Sequence, residues 1–472
     1  MVLTIIGRGA QFILMFITIK ISTTVLHPVE MAKVALFTSI IGFYAMILIN
    51  PVGMFMNRRI FAWNEEGKIK QYYNYFWCYL IVIFGLAIAS LWQFISAGWI
   101  DTHTTMAWAL FLVGGSLLFS TINQTVIPGL NSFGYRGWFF SLSLATATTS
   151  LATASTFVLV MTPRAESWMC GLIVGQLIFA AVGWVIFMKK IKISDSFMKP
   201  TMLQFKLVYS FSWPISIAVG FGWLQSQSYR IIMESSLGLH ALGLFATGYG
   251  ISIGIISACE SVFLIYLQPD FYKRITNGNL IEQSKAWNEY SGTMLPSLVL
   301  VGFFVVATSS EISKILLGTE YLSSSEFIVW GALSDLARVS TGMYGMIAHA
   351  RMKTNLLLIP SIVGAFLSMV LIWKLIPIFG SHGVGAALVI SSTIGFALTY
   401  LSTRHELQTS LSKINLITGI LMGLVLMLTM KTLGLIVNDE MDIILKTIIK
   451  LTVVSVLFLY FQMRLLRPLL FR

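Results

Sequence analysis

Charge is scarce in this chain: 11% of its 472 residues are Asp, Glu, Lys or Arg, and only 19 are acidic. With 57% hydrophobic residues and a mean hydropathy of +0.83, the composition lies outside the range of soluble globular domains. Cysteine is nearly absent as well. Cys78, Cys170 and Cys259 each stand alone within an apolar run, which leaves no spacing for a disulfide framework or a cysteine-based metal site. Long polar segments are missing, since the connections between apolar runs hold at most roughly 25 residues and leave no room for a soluble domain. There is no GxxxxGK[ST] loop, no HExxH and no cluster of histidine with cysteine. ATP hydrolysis and metal catalysis are thereby set aside, and no cofactor is expected. The six histidines fall at expected helix ends or connections, where headgroup anchoring is the simpler role.

What is present is a series of apolar runs of membrane-spanning length. They predict helices over 2–25, 32–54, 73–97, 105–126, 138–161, 168–188 and 207–230, then 241–265, 291–309, 326–347, 355–376, 383–402, 414–437 and 443–463. The first run is too long for a signal-peptide core and is expected to remain as a helix. Fourteen spans put both termini on one side. Of the 31 lysines and arginines, 20 collect in one set of connections and the C-terminal tail, among them Arg58, Arg59, Lys192, Lys199, Lys273 and Arg472. The other set gathers acids such as Glu30, Asp101, Glu166, Asp439, Glu440 and Asp442. Basic residues near helix ends stay in the cytoplasm, so both termini are expected there. The net charge of +12 is then a topology signal with attraction to anionic headgroups, and nothing points to nucleic acid.

The stretch "NPVGMFMNRRIFAW" is expected to end helix 2. Asn50-Pro51 and Gly53 would loosen or kink its inner end, and Arg58-Arg59 would hold that end at the headgroups. The doubled arginines also suit capture of a phosphate-bearing lipid. "VLHPVEMAKVALFTS" and "SLGLHALGLFATG" share a pattern in which Leu36-Phe37 matches Leu244-Phe245, about 208 positions on, each after a cation, Lys20 or Arg230. The chain therefore reads as six plus six plus two helices: a lobe over 1–200, a second over 201–405, and helices 13 and 14 with the tail over 406–472. Two six-helix repeats in the same orientation imply a cavity between lobes. Small residues at helical spacing, Gly171 with Gly175 and Gly250 with Gly254, are expected to permit close helix contact.

Ionisable residues inside spans are the informative ones, because a charge at a helix centre costs about 2.5 to 3.5 kcal/mol on insertion scales and normally faces protein or water. In "GALSDLARVSTG", Asp335 and Arg338 lie three apart near the middle of helix 10 and are expected to pair and face a wet cavity. Lys20 and Arg230 lie nearer the outer ends of helices 1 and 7, within reach of the cavity or of the interface. Lys431 is expected to snorkel. Arg8 in helix 1 and Glu260 in helix 8 complete the set, with Glu260 the best lone carboxylate for proton or cation coupling.

The segment "NPVGMFMNRRIFAWNEEGKIKQYYNYF", with the helix 1–2 hairpin and its echo at helices 7–8, resembles bacterial polysaccharide flippases of the Wzx type. These belong to the multidrug/oligosaccharidyl-lipid/polysaccharide exporter superfamily. The likeness in spacing covers essentially the whole chain, while its specific residues are Gly53, Arg58-Arg59, Trp63 and Gly67. The absence of a basic lead-in before helix 1 is a departure from the family pattern. The resemblance implies an all-α polytopic membrane protein of two six-helix lobes around a V-shaped cavity, with two added C-terminal helices. It implies movement of an undecaprenyl-diphosphate-linked oligosaccharide between the leaflets of the bacterial inner membrane, and no catalysis. Arg338, Lys20, Arg230, Arg58, Arg59 and Arg8 are then candidates for contacting the cargo, and Asp335 and Glu260 for coupling to protons or sodium ions. Candidate partners are membrane lipids, a polysaccharide polymerase and a chain-length regulator. A cation-coupled drug exporter and a peptidoglycan-precursor flippase share this topology. An oligosaccharide polymerase, the enzyme alternative, would ordinarily need a sizeable outer loop, and the outer loops here are short.

Overall fold

The structure, a computed structural model, describes residues 2–190, 202–277, 280–351, 353–407, 413–436 and 443–470. Lys192, Lys199, Asp439, Glu440, Asp442 and Arg472 lie outside the described residues, as do the side chains of Arg58, Lys70, Lys273, Lys413 and Arg467. Among the described residues the regular structure is entirely helical: α1 (Val2–Val25), α2 (Pro28–Tyr44), α3 (Asn50–Glu65), α4 (Ile69–Ser96), α5 (Met106–Ser132), α6 (Arg136–Val160), α7 (Ala165–Lys190), α8 (Met202–Gln227), α9 (Tyr229–Asn277), α10 (Leu280–Ala307), α11 (Ser309–Leu316), α12 (Ser325–Ala350), α13 (Leu358–Thr403), α14 (Lys413–Ile436) and α15 (Ile443–Leu470).

Among the described residues, ten helical stretches are long and apolar enough to cross a membrane. Two of them, Phe205–Tyr272 and Asn355–Thr403, contain breaks at Gly238 (φ 81°) and Gly380 (φ 55°) and hold two spans each. Only glycine adopts such angles without strain, and each break falls where the hydrophobic pattern predicts a connection. α1 and α12, the latter with its apolar run interrupted by Asp335 and Arg338, are of spanning length as well, which brings the helical stretches of that length to fourteen among the described residues. This is an all-α, multi-pass membrane protein.

The helices run further than the apolar pattern indicates. α10 begins at Leu280 rather than near 291, because its first turns are amphipathic and bury Ala286, Trp287 and Tyr290. Helix 2 differs most. It does not end near Gly53 but continues to Glu65 through a single wide turn, a π-helical segment over Ala45–Ile49 in which the Asn50 N–H bonds to the Ala45 carbonyl. Pro51 has no N–H to give, and its ring would strike the carbonyl of Ile47 in a regular helix. The wide turn makes room for the ring, so the helix passes the proline and Arg58 and Arg59 sit on α3 rather than in a connection.

The chain divides into two compact units, Met1–Ile231 and Ile232–Arg472. In the first, α7 packs on α6 where glycines remove the side chain: a Cβ on Gly171 would overlap the backbone of Ala154, and one on Gly175 the backbone of Ser150. Asn123 Nδ2 donates to the Gln176 carbonyl at 2.8 Å, and the Glu30 carboxylate accepts the N–H of Ala165 at the start of α7 (2.7 Å). In the second, α14 lies close on α10 through Gly419 against Pro296 and Gly423 against Phe303. Gln462 of α15 reaches the Ser297 carbonyl at 2.9 Å. Gly250 meets nothing within 4 Å, so it is not a close-contact position; that role falls to Gly248, whose Cβ would meet the Ser324 carbonyl. Phe37 and Phe245, the matched residues of the sequence repeat, are each fully buried in their own unit.

Candidate functional site

The clearest charged site lies in the second unit, between α9 and α12. Arg338 is the hub. Its Nε and Nη2 both face the Asp335 carboxylate, the latter at 3.2 Å, and Nη2 also donates to Glu260 Oε2 and Ser257 Oγ, each at 3.1 Å. Asp335 and Arg338 share a face of α12 because they are three residues apart, and Ser257 and Glu260 share a face of α9 for the same reason. Exposure grades across the cluster: the side chain of Asp335 is 1% exposed, Glu260 17% and Arg338 45%. One guanidinium is thus shared by two carboxylates, leaving the group one negative charge in excess when both are ionised. Glu260 is therefore not a lone carboxylate, as its isolation in the sequence suggests, but the second partner of Arg338.

Behind the cluster runs a chain of buried hydroxyls. Tyr249 Oη and Ser334 Oγ are 3.0 Å apart, Ser334 and Ser392 Oγ are 3.1 Å apart, and Ser392 donates to the Leu388 carbonyl at 2.6 Å. These link α9, α12 and α13 through Ser334, the residue next to Asp335. A Cβ on Gly331 would overlap Ser252, so the small residue lets α12 approach α9 closely enough for this contact. Serines carry no signal in an apolar run, because they satisfy themselves on carbonyls of their own helix as readily as across an interface.

The other expected site residues lie elsewhere. Arg230, at the start of α9, donates to the Ala35 carbonyl of α2 at 2.9 Å and to its neighbour Tyr229 Oη at 3.2 Å. Trp223 Nε1 donates to Ser39 O at 3.1 Å, one turn further along α2. Both clamp the end of α8 and the start of α9 onto that helix, so Arg230 acts here as a packing donor. Arg8 and Lys20 are exposed on α1, with Arg8 3.3 Å from Gln11 Oε1. Arg59 is exposed on α3, its guanidinium 5.9 Å from the Phe55 ring. Among the described residues no group of three His, Cys, Asp or Glu side chains is placed to hold a metal ion.

The first unit contains a feature that the sequence did not reveal, an apolar cavity of about 980 Å³ walled by α2–α3, α4 and α8. Phe55, Tyr72, Tyr79, Phe205, Trp213 and Phe221 are among its lining residues, and the wide turn contributes Ile47 and Leu48. Its aromatic residues recur at helical spacing, Tyr72, Tyr75, Phe76 and Tyr79 on α4 and Phe205, Tyr209 and Trp213 on α8, and such a stripe within an apolar run reads as an ordinary packing or membrane-facing side of a helix.

No protein-family model matches the chain, and no curated protein matches it. Solved structures do. One of lipid II flippase MurJ, in an inward closed conformation, is similar with a TM-score of 0.69 and 14% identity, covering 99% of this chain and 99% of its own. An inward-facing MATE family multidrug resistance transporter of the MOP superfamily is similar at a TM-score of 0.66 and 13% identity, over 84% of this chain and 94% of its own. A MOP superfamily transporter from Pyrococcus furiosus, described as having a binding pocket of reverse polarity, gives a TM-score of 0.55 and 13% identity over 86% and 93%. At such identities the shared property is architecture, and this chain has the helical fold of these membrane transporters.

Proposed function

We propose that this protein moves an undecaprenyl-diphosphate-linked oligosaccharide, such as an O-antigen repeat unit, from the cytoplasmic to the periplasmic leaflet of a bacterial inner membrane. It works by alternating access, without catalysing a covalent step, and both termini are cytoplasmic. The observation that carries the reading is Arg338, a single guanidinium shared by two carboxylates within apolar helices. A diphosphate competes well with carboxylates for such a group, because both offer paired oxygens to the guanidinium fork. Uptake of a proton or sodium ion by a carboxylate weakens its hold and frees Arg338 for the cargo. Loss of the cation lets the carboxylate recapture the arginine and expel the anion. Coupling of this kind needs a ligand that prefers one state of the switch, and the competition supplies it. Glu260 is the releasable partner: it makes one contact to Arg338 and is partly exposed, whereas Asp335 makes two and is buried. Arg58 and Arg59 on α3 receive the diphosphate at the cytoplasmic side, and the exposed Lys20 and Arg8 add positive potential. The fold, shared with a protein named as a lipid II flippase, supports the reading.

The test is flipping of a lipid-linked oligosaccharide in reconstituted vesicles, paired with depletion of the protein in cells. Accumulation of lipid-linked glycan on the cytoplasmic leaflet after depletion, and flipping that responds to an imposed proton or sodium gradient, are the expected results. Unimpaired glycan export after depletion would overturn the proposal. The excess of acid over base in the cluster favours one second reading, a cation-coupled exporter of cationic drugs. That reading requires drug efflux from the same vesicles and no flipping.

A further inference from the structure

We propose that the apolar cavity of the first unit holds the polyprenyl chain of the cargo lipid, with the phosphate end of that lipid beside Arg59 and Lys206. The inference rests on the flippase reading and adds a site to it, in a different part of the chain from the Arg338 cluster.

Shape is the first ground. The wall formed by α2–α3 runs from Phe43 to Trp63, a span of about 30 Å at 1.5 Å per residue, while the volume is about 980 Å³. That volume is at the upper end of ordinary ligand pockets, roughly 300–1,000 Å³, and here it is drawn out along the helices. A long chain fills such a space; a compact drug does not.

Chemistry is the second. The lining is mostly apolar, and two of its hydroxyls are engaged by the protein: Tyr79 Oη donates to the Leu48 carbonyl at 2.6 Å, and Tyr75 Oη accepts from Gln71 at 2.7 Å, while the buried Ser212 Oγ is the exception without a hydrogen-bond partner. Trp63 and Tyr72 stack at 3.9 Å and 8°, flanking one end with two aromatic planes. The walls therefore offer hydrocarbon and ring faces, which suit an unsaturated, methyl-branched chain.

Charge is the third, and it orients the occupant. Arg59 lies over Phe55, and Lys206 follows Phe205; both phenylalanines line the cavity, and both cations are exposed at the Trp63 end. The lining toward the other end, at Phe43, Val82 and Leu224, carries no charged residue. An anionic head with a long apolar tail fits this polarity, tail inward from the basic mouth. The space itself exists because the wide turn at Ala45–Ile49 displaces Ile47 and because Gly220 faces it, the nearest side-chain atom to a Cβ there being Ile47 at 3.6 Å.

The experiment uses the full chain in nanodiscs with an undecaprenyl monophosphate carrying a diazirine near the end of its tail. Photolysis is expected to label segments 72–82 and 205–224, unlabelled undecaprenyl monophosphate to compete, and dioleoyl phosphatidylglycerol at equal concentration not to. Ser216→Trp, which fills the cavity, and Val82→Trp, on its exposed rim, are each expected to reduce labelling by about tenfold. Gel filtration of both variants confirms folding, and the rim variant carries the test should the filled one unfold. Equal competition by the phospholipid would mean a general lipid groove and overturn the proposal, as would labelling confined to other helices or unchanged in both variants. Flipping without competed labelling would remove this site and leave the flippase reading standing. Competed labelling in a protein that flips no lipid-linked glycan would remove that reading and keep the site.

Discussion

The hydroxyl of Tyr79 on α4 donates to the carbonyl of Leu48 at 2.6 Å, inside the wide turn that carries helix 2 past Pro51. A π turn shifts the backbone ladder by one residue and leaves carbonyls short of donors, a defect that is costly where no water is present. Tyr79 supplies the missing donor. Tyr79→Phe is therefore expected to destabilise the first unit by about 1 kcal/mol, the usual net worth of one such bond. A lowered midpoint in thermal or denaturant unfolding, with helix content unchanged, checks it.

Close helix contact makes a second, paired prediction. Gly171→Leu forces a side chain into the backbone of Ala154 and is expected to abolish recovery of monodisperse protein, because two helix backbones must separate to admit it. Gly250→Ala, at a helical position with open space, is expected to leave yield and unfolding unchanged. Fluorescence-detected gel filtration of the two variants measures both.

Removing Arg338 alone strands the buried Asp335 and should cost about 3 kcal/mol or more, so a defect in Arg338→Ala mixes folding with transport. The triple variant Asp335→Asn, Glu260→Gln and Arg338→Gln removes all three charges of the cluster and is expected to fold with near-native stability yet flip no cargo. Normal flipping by that variant would make the cluster purely structural.

Glu260→Gln keeps the shape of the side chain and removes its charge. It is expected to leave cargo binding intact or tighter, since Arg338 loses one competitor, while flipping stops responding to an imposed gradient. The sign follows from the geometry, because an amide competes more weakly than a carboxylate for the Arg338 guanidinium. Cargo affinity and gradient response measured side by side in the native protein and the variant decide it, weaker cargo binding by the variant being the result that overturns the switch.

Topology is tested independently of transport. A cysteine placed at Lys192 should resist a probe confined to the outside of intact cells, and one at Glu440 should react with it. The reverse pattern would invert the protein in the membrane.

The apolar runs by themselves determined the number of spans and their order, and the pairing of Asp335 with Arg338. Each is a local property: a membrane-length window of hydropathy, or a spacing of three along one helix, contains all the information needed. The glycines at 238 and 380 acted locally too, since a positive φ belongs to the residue rather than to its surroundings. What only the tertiary structure decided is which helix faces meet. Glu260 joins Arg338 across 78 residues, and Arg230 finds the Ala35 carbonyl across 195. Such partners are set by the rotation and depth of one helix against another, which small residues such as Gly331 and Gly171 permit but do not specify. The course of helix 2 belongs with them. Read locally, Pro51 and Gly53 stop a helix; with the wide turn making room for the ring and Tyr79 to bond the Leu48 carbonyl, the same residues bend it around a cavity, because in an apolar surrounding a backbone group left without a partner costs more than the irregular turn that lets one reach it.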